Sequence, residues 1–250
     1  MSCGGRPATP PPHRAMILAA GRGKRLASIT ATTPKPLIRV GGIALIDQAL
    51  TQLQAVGVTD YVVNTHYLAE RVEDHVRRWK VPRLHISREP ELLDTGGGVA
   101  RARRWLGLTP FFVLNSDLVW MGPPGRALQR LADAWCDRTM DALLLVAPTV
   151  AVRGYNGPGD FTLGPEGRVQ RRLPGAMTPF VFTGAQILTP RVFVGAPPGP
   201  FSLNRIYDQA AARGRLFGIR HEGDWIDAGT PERLHLASEA MIHSRQGSLW

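Results

Sequence analysis

Apolar runs and amphipathic stretches alternate along the first part of the chain. Runs that fit buried strands lie at residues 15–20, 60–64, 84–87, 111–115 and 141–147. Between them, apolar side chains recur at the spacing of one helix face over residues 45–55, 68–79, 96–106 and 127–136. This alternation predicts a Rossmann-like α/β fold, in which a mostly parallel mixed sheet lies between two layers of helices.

The pattern changes after Pro148, where turn residues separate shorter segments. Here strands are predicted at residues 180–188 and 216–220, a helix at 203–213 and a loop at 224–229. In the first part of the chain, residues 21–36 are also predicted to be a loop. Thr230 and Pro231 are the residue types expected at the start of a last helix. We expect a single domain over residues 14–243, after a disordered tail of residues 1–13 that is rich in glycine and proline.

Composition excludes several classes of partner. The chain of 250 residues has a formal charge of +10, but its arginines are scattered and no aromatic-basic repeat occurs, so we expect no nucleic-acid partner. No apolar run reaches the roughly 18 residues of a membrane-spanning helix, so we expect no membrane partner. The two cysteines are too few for a disulfide framework or a metal cluster, which favours a cytoplasmic protein.

A basic, glycine-bearing segment follows the first predicted strand, from Leu18 to Leu26 (LAAGRGKRL). Its small residues let backbone N–H groups approach a phosphate, and Arg25 can grip phosphate oxygens through its guanidinium. A dinucleotide fingerprint would need glycine in place of Leu26, and a Walker A loop needs four residues where this chain has only Arg22. On this segment alone, a solvent-exposed turn is the commoner interpretation.

Lys35 stands between two prolines in the segment from Thr33 to Leu37 (TPKPL). The prolines restrict the backbone on both sides, so the ammonium group is presented rigidly close to the glycine loop. Only three of the 30 cationic residues are lysines. A compact ammonium at this position is therefore a candidate phosphate ligand.

Two aspartates lie where a carboxylate can hold a metal. Asp117 follows the buried strand at residues 111–115, and Asp227 precedes the last helix. Ligands of such sheets bind at the carboxyl ends of the strands, so we expect the loops after residues 20, 87 and 115 to meet. Taken singly, Asp117 is more often a turn former, and Asp227 a loop carboxylate that accepts backbone hydrogen bonds.

The LAAGxGxRL segment followed by TPKPL resembles the signature of the sugar nucleotidyltransferases. Further matching segments are TGGG at residues 95–98, NSD at 115–117, GDF at 159–161, FTG at 182–184 and WIDAGT at 225–230. The resemblance implies a GT-A-like nucleotidyltransferase fold with a nucleotide-binding half (14–148) and a sugar-binding half (149–243). The implied reaction joins a nucleoside triphosphate to a sugar 1-phosphate, releases pyrophosphate and uses Mg²⁺.

The resemblance also assigns roles to the matching residues. Arg25 and Lys35 would be catalytic, and Asp117 and Asp227 would hold the Mg²⁺. Nucleotide contacts would come from Ala20, Gly21, Gly23, Lys24, Arg25, Lys35, Thr95, Gly96, Gly97 and Asn115, and sugar contacts from Asn156, Gly159, Asp160, Thr183 and Gly184. Because Thr95, Gly96 and Gly97 can offer backbone groups to a pyrimidine edge, and the tight glycines leave little room for a purine, UTP is the expected donor. The expected acceptor is N-acetylmuramate 1-phosphate, in peptidoglycan recycling.

The chain departs from the family pattern at three places. Ser28 replaces a usual proline, Ser116 replaces a frequent glycine, and residues 171–174 (RRLP) stand where larger relatives have a Glu-Lys-Pro segment. The lysine of that segment holds the sugar phosphate in those relatives, so the resemblance leaves this contact without a residue.

Other substrates and a non-enzymatic role fit the same motifs. The alternatives are mannose 1-phosphate with GTP, glucose 1-phosphate, phosphocholine with CTP, and a regulatory subunit that binds nucleotide sugars without catalysis. The presence of Arg25, Lys35, Asp117 and Asp227 together argues against the regulatory subunit. The sequence gives no signal for an oligomeric state.

Overall fold

A computed structural model describes residues 11–247, so most of the predicted tail at residues 1–13 lies outside the described part. The strands are β1 (Arg14–Leu18), β2 (Arg39–Val40), β3 (Ile43–Ala44), β4 (Asp60–Thr65), β5 (Arg83–Arg88), β6 (Phe111–Asn115), β7 (Leu118–Trp120), β8 (Ala142–Pro148), β9 (Phe161–Leu163), β10 (Val169–Arg171), β11 (Phe180–Leu188), β12 (Leu216–Arg220) and β13 (Trp225–Asp227). The helices are α1 (Ala27–Thr30), α2 (Leu45–Ala55), α3 (Ala69–Val76), α4 (Asp94–Leu106), α5 (Arg126–Ala134), α6 (Leu203–Ala212) and α7 (Pro231–Gly247).

A nine-stranded mixed sheet forms the centre of the molecule. Strands β5, β4, β1 and β6 run parallel in that order. Strand β11 is antiparallel to β6 on one side and to β8 on the other, and β12 pairs in parallel with β8. The predicted α/β fold with a mostly parallel centre is thus confirmed, and both sequence halves contribute strands to the same sheet.

The sheet is covered by helices on both faces, which explains why its strands read as continuous apolar runs. Alternate residues of β1 divide between two core clusters: Ala15 and Ile17 pack with α2, α3 and α5, while Met16 packs with α4 and α6. Strand β6 divides in the same way, with Phe112 on the first face and Phe111 on the second. Because both faces of these strands are buried, polar residues do not alternate with apolar ones along them.

A third apolar cluster lies beside the edge of the sheet and joins segments that are far apart in sequence. Some of its members lie within three residues of Arg25, Lys35, Asp117 or Asp227; the cluster consists of Leu26, Ile38, Val40, Leu45, Val119, Ile226, Ala228, Leu234 and Ala237. The apolar side chains of this cluster therefore hold the glycine loop, the TPKPL segment and the start of α7 against one another.

The structure corrects two of the predicted loops. Residues 21–36 contain a 3₁₀ turn at Lys24–Leu26 and the short helix α1, and a second 3₁₀ turn begins at Lys35. Residues 224–229 contain β13, which pairs with β7 as a separate antiparallel ribbon. Both strands of the ribbon have only three residues, too few for an apolar period to be visible in sequence.

Within residues 11–247, no helix has the length and apolar character needed to cross a membrane.

Candidate active site

A cavity of about 540 Å³ opens at the carboxyl ends of β1 and β6. The loops after these two strands line it together with the loop that follows β5, as predicted from the topology. The predicted residues on its walls are Ala20, Gly21, Gly23, Lys24, Arg25, Lys35, Thr95, Asn115 and Asp117. Gly229, two residues after Asp227, also lines it.

The glycine loop turns sharply at Gly23, which has a φ of +62°. A Cβ at this position would lie 2.8 Å from Thr30 Cγ2, so the turn requires glycine. The Thr30 hydroxyl donates to the Leu26 carbonyl at 3.1 Å and ties α1 back to the loop. These contacts fix the backbone of residues 20–26 around the cavity without using the side chains of Lys24 or Arg25.

Lys35 and Asp117 meet across the cavity. The Pro34 backbone is extended before the 3₁₀ turn that begins at Lys35, so this side chain leaves the chain at a fixed place. Its Nζ donates to Asp117 Oδ2, and the two side chains are 14% and 25% exposed. A cation and a carboxylate therefore stand in contact at the mouth of the glycine loop.

The ribbon of β7 and β13 brings the second aspartate to the same place. Asp227 is paired in register with Leu118, the residue after Asp117. Gly229 makes room for the charges here, since a Cβ on it would lie 2.8 Å from Arg25 Nη1 and 2.9 Å from Asp227 Oδ1. Arg25 and Asp227 thus come together at Gly229, and the pairing of β13 with β7 places Asp227 opposite the residue after Asp117.

Arg233 is a site residue that the sequence did not reveal. Its Nη1 donates to Asp227 Oδ2, with side chains 18% and 20% exposed. It lies in the first turn of α7, which begins after Thr230 as predicted, and its backbone N–H donates to Thr230 Oγ1 at 3.4 Å. A spacing of six residues does not by itself predict a contact between Arg233 and Asp227. The contact forms because the chain turns at Gly229 between β13 and α7.

The glycines at the start of α4 have a packing role that differs from the predicted one. The N–H groups of Gly96 and Gly97 both donate to the Phe201 carbonyl, at 2.8 and 3.0 Å. A Cβ on Gly97 would lie 2.5 Å from the Gly199 carbonyl oxygen. These two N–H groups are therefore committed to the protein itself, and the residues of this loop that line the cavity are Leu92, Asp94 and Thr95.

Asp94 has an unusual backbone for a residue with a side chain, with a φ of +58°. Its Oδ1 accepts from the N–H of Thr95 at 2.6 Å, and the Thr95 hydroxyl accepts from the Leu203 N–H at 2.9 Å. Left-handed non-glycine residues are uncommon and cluster at functional sites. Asp94 therefore presents an acceptor group at the part of the cavity where the base was predicted.

A buried polar bridge joins the glycine loop to this base loop. Asn64 Oδ1 accepts from the Ala19 N–H at 2.8 Å, and its Nδ2 donates to Glu89 Oε1 at 2.7 Å. Glu89 Oε2 accepts from the Leu93 N–H at 3.0 Å. Both side chains are buried; Asn64 is the last residue but one of β4, and Glu89 directly follows the neighbouring strand β5. The rule that ligands bind at the carboxyl ends of strands could have indicated them.

The residues predicted to contact the sugar lie away from the walls of the main cavity. Asp160 accepts from the Phe182 N–H at 2.9 Å. Burial raises the pKa of the Asp160 carboxyl, and the negative charge of Asp227 raises it further. Asp160 directly follows Gly159 in the loop that precedes β9. Asn156 is exposed in the same loop.

Thr183 and Gly184 form a bulge in β11 behind this region. The Thr183 side chain is 1% exposed and donates to the Leu145 carbonyl at 2.9 Å, so its hydroxyl is turned into the sheet. Gly184 has a φ of +89°, and the register with β8 shifts between Phe182 and Gln186. The bulge packs against Asn115 and Leu118, beside the first aspartate.

The two aspartates fit the donor set of a hard cation. Within the part of the chain that the structure describes, no cluster of three or more His, Cys, Asp or Glu side chains could hold a metal. Mg²⁺ is commonly held by one or two carboxylates together with substrate phosphates. Asp117 and Asp227, beside a phosphate-type loop, have the chemistry and the number of ligands for that arrangement.

A glycine loop, two cations and two carboxylates at the carboxyl edge of a mixed sheet define an α/β protein built to handle a polyphosphate. Residues 14–171 match the model of the nucleotidyl transferase family. The chain is 40% identical, over 92% of its length and 97% of the relative, to the N-acetylmuramate alpha-1-phosphate uridylyltransferase of Caulobacter vibrioides. It is 34% identical, over 88% of its length and 95% of the relative, to the protein of that name in Neisseria meningitidis.

A solved UDP-glucose pyrophosphorylase bound to UDP-glucose has the same fold, with a TM-score of 0.78 at 17% identity, covering 93% of this chain and 99% of that one. The chain therefore belongs to the nucleotidyl transferase family, and it is a nucleotidyltransferase.

Proposed function

We propose that the chain transfers the uridylyl group of UTP to N-acetylmuramate 1-phosphate and releases pyrophosphate, in a Mg²⁺-dependent reaction of peptidoglycan recycling. The observation that carries the proposal is the meeting of Lys35, Asp117 and Asp227 at the mouth of the glycine loop. The α-phosphate of a triphosphate held by that loop would lie against these three side chains. The reaction is expected in the cytoplasm, where nucleoside triphosphates are made.

The proposed transfer needs no general base. An anionic oxygen of the sugar phosphate attacks the α-phosphorus in line, and the bond to the bridging β-oxygen breaks. The electron pair of that bond leaves with pyrophosphate. Since the nucleophile is already charged, the protein's task is positioning and charge neutralisation.

The chain's own residues divide this task. N–H groups of the glycine loop and the Arg25 guanidinium hold the oxygens that become pyrophosphate, and Lys35 holds the α-phosphate between donor and acceptor. Asp117 and Asp227 would hold the cation, which supplies charge neutralisation for the phosphates when bound. The residues at 156–160 form the sugar side of the site.

The choice of substrates rests on the two bacterial relatives. This chain matches almost the whole length of each relative, and each is named as an N-acetylmuramate alpha-1-phosphate uridylyltransferase. Mannose 1-phosphate with GTP and glucose 1-phosphate remain the competing pairs. Asp94 and Thr95 line the cavity at the loop expected to read the base, and we assign the contacts with uracil to them.

A substrate panel tests the proposal. Purified protein with Mg²⁺ is given each of UTP, CTP, GTP, ATP and dTTP with each of the 1-phosphates of N-acetylmuramate, N-acetylglucosamine, glucose and mannose, and with phosphocholine, and pyrophosphate release is followed. We expect kcat/KM for UTP with N-acetylmuramate 1-phosphate to exceed that of every other pair by roughly tenfold or more. A higher value for another pair would replace the proposed substrates with that pair.

A further inference from the structure

The acceptor's phosphate must reach a site that is already acidic. Asp117, Asp227 and Asp160 all lie around the place where it would enter, and a sugar phosphate adds further negative charge. A cation is needed on the acceptor side to offset this repulsion. Arg25 and Lys35 line the nucleotide cavity and are engaged by the triphosphate in the proposed function.

The arginines that stand where relatives have the Glu-Lys-Pro lysine are held elsewhere. Arg171 makes a two-pronged ion pair with Asp208, at 2.7 Å and 2.6 Å, on the outer face of α6. Arg172 donates from Nε to the Gly159 carbonyl at 3.0 Å and from Nη1 to the Ala176 carbonyl at 3.1 Å. The first braces a helix, and the second braces the sugar loop, so neither guanidinium is directed to a phosphate.

Arg233 stands between the second aspartate and the sugar loop. Besides its contact with Asp227, its guanidinium carbon lies 5.9 Å from the ring centroid of Tyr155. The Tyr155 hydroxyl accepts from the Gly159 N–H at 3.0 Å, which fixes the loop that carries Asp160. One side of Arg233 therefore faces the metal-type carboxylate, and the other faces the residues that hold the sugar.

The guanidinium has donors left for a ligand. Among the residues that the structure describes, the hydrogen bond of the Arg233 side chain goes through Nη1 to Asp227. Nε and Nη2 form the other edge of a planar fork, which matches the oxygens of a phosphate.

We propose that Arg233 binds the phosphate of the incoming sugar 1-phosphate and is a catalytic residue of the transfer. Its guanidinium holds the attacking phosphate beside Asp227, opposite Lys35, and so takes the role for which the sequence offered no residue. The inference rests on the proposed function, since it requires a phosphorylated acceptor.

The test compares Arg233→Gln and Arg233→Lys with the control Arg171→Gln. The control is matched because it also removes an arginine that is ion-paired with one aspartate. KM is measured separately for the sugar 1-phosphate, for UTP and for Mg²⁺, using the best acceptor of the wild-type protein. Losing a charged hydrogen-bond donor is worth about 1.5–3 kcal/mol, so Arg233→Gln should raise the acceptor KM by roughly 10- to 150-fold. In Arg233→Gln, the KM values for UTP and Mg²⁺ should stay within about threefold of the wild type. Arg233→Lys should recover part of the lost acceptor affinity, and Arg171→Gln should have wild-type KM values.

Three results would contradict the inference or its basis. An unchanged acceptor KM in Arg233→Gln overturns the inference. A change confined to the KM for Mg²⁺ or UTP would show instead that Arg233 positions Asp227. If Arg233→Gln does not fold, the same measurements on Arg233→Lys decide, because lysine keeps the charge beside Asp227 but loses the fork. A wild-type protein that makes no nucleotide sugar from any acceptor refutes the proposed function itself, and the inference falls with it.

Discussion

Three cationic side chains of the site are each held by a neighbour of opposite charge or by a close backbone approach. Lys35 contacts Asp117, Arg233 contacts Asp227, and Arg25 lies against the bare backbone of Gly229. Motifs in the sequence revealed Lys35, Asp117, Asp227 and Arg25, because those residues sit in short recognisable segments. Arg233, Asn64 and Glu89 have no such segment, and only their contacts identify them.

We expect Asp117→Asn and Lys35→Ala each to lower kcat by orders of magnitude while leaving the fold intact. Asparagine keeps the size of Asp117 but removes the charge that would hold the cation, and alanine removes the ammonium that neutralises the α-phosphate. Turnover is measured by pyrophosphate release, and folding by circular dichroism and Tm.

Asp208→Asn is the matched control for Asp117→Asn, because Asp208 also has one cationic partner but lies on the outer face of α6. It should keep the wild-type rate. A purified, folded Asp117→Asn or Lys35→Ala variant with near-normal turnover would show that the residue in question has been given the wrong role.

Elements of the fold were predictable to different degrees. Helix α2 and strands β6, β11 and β12 have the predicted bounds, since each carries a strong apolar period or a continuous apolar run. The ribbon of β7 and β13 was missed because its pairing joins residues about a hundred positions apart, and no local pattern encodes such a contact. The same ribbon brings Asp227 next to Asp117, so the geometry of the site depended on the element that sequence could not show.

The bulge in β11 gives a prediction about an element. Gly184→Ala would place a Cβ 2.5 Å from Leu118 Cδ2 on a backbone with a φ of +89°. We expect the free energy of unfolding to fall by roughly 2–4 kcal/mol, from left-handed strain and overpacking together. Urea unfolding at neutral pH measures it.

Turnover should fall in the same variant, since Leu118 follows Asp117 directly. Gly164→Ala is the control, because a Cβ there meets only the Arg168 carbonyl oxygen at an ordinary 3.5 Å. Equal stability of the two alanine variants would mean that the bulge does not constrain the strand.

The whole molecule is arranged as two sequence halves around one sheet. The first half supplies the glycine loop, Lys35 and Asp117, and the second supplies Asp227, Arg233 and the sugar loop. Local motifs were enough to predict the reaction class, since each phosphate-binding segment is contiguous in sequence. On the proposed acceptor side, Asp160 was expected from the resemblance alone, and Tyr155 and Arg233 were missed, because only packing brings them towards Asp227.

The most direct measurement is the stoichiometry of the complete reaction. UTP, N-acetylmuramate 1-phosphate and the purified protein are incubated with Mg²⁺ or with EDTA, and pyrophosphate and the nucleotide sugar are quantified by chromatography and mass spectrometry. We expect equal amounts of pyrophosphate and UDP-N-acetylmuramate with Mg²⁺, and neither product with EDTA. Pyrophosphate without nucleotide sugar, or equal turnover in EDTA, would contradict it.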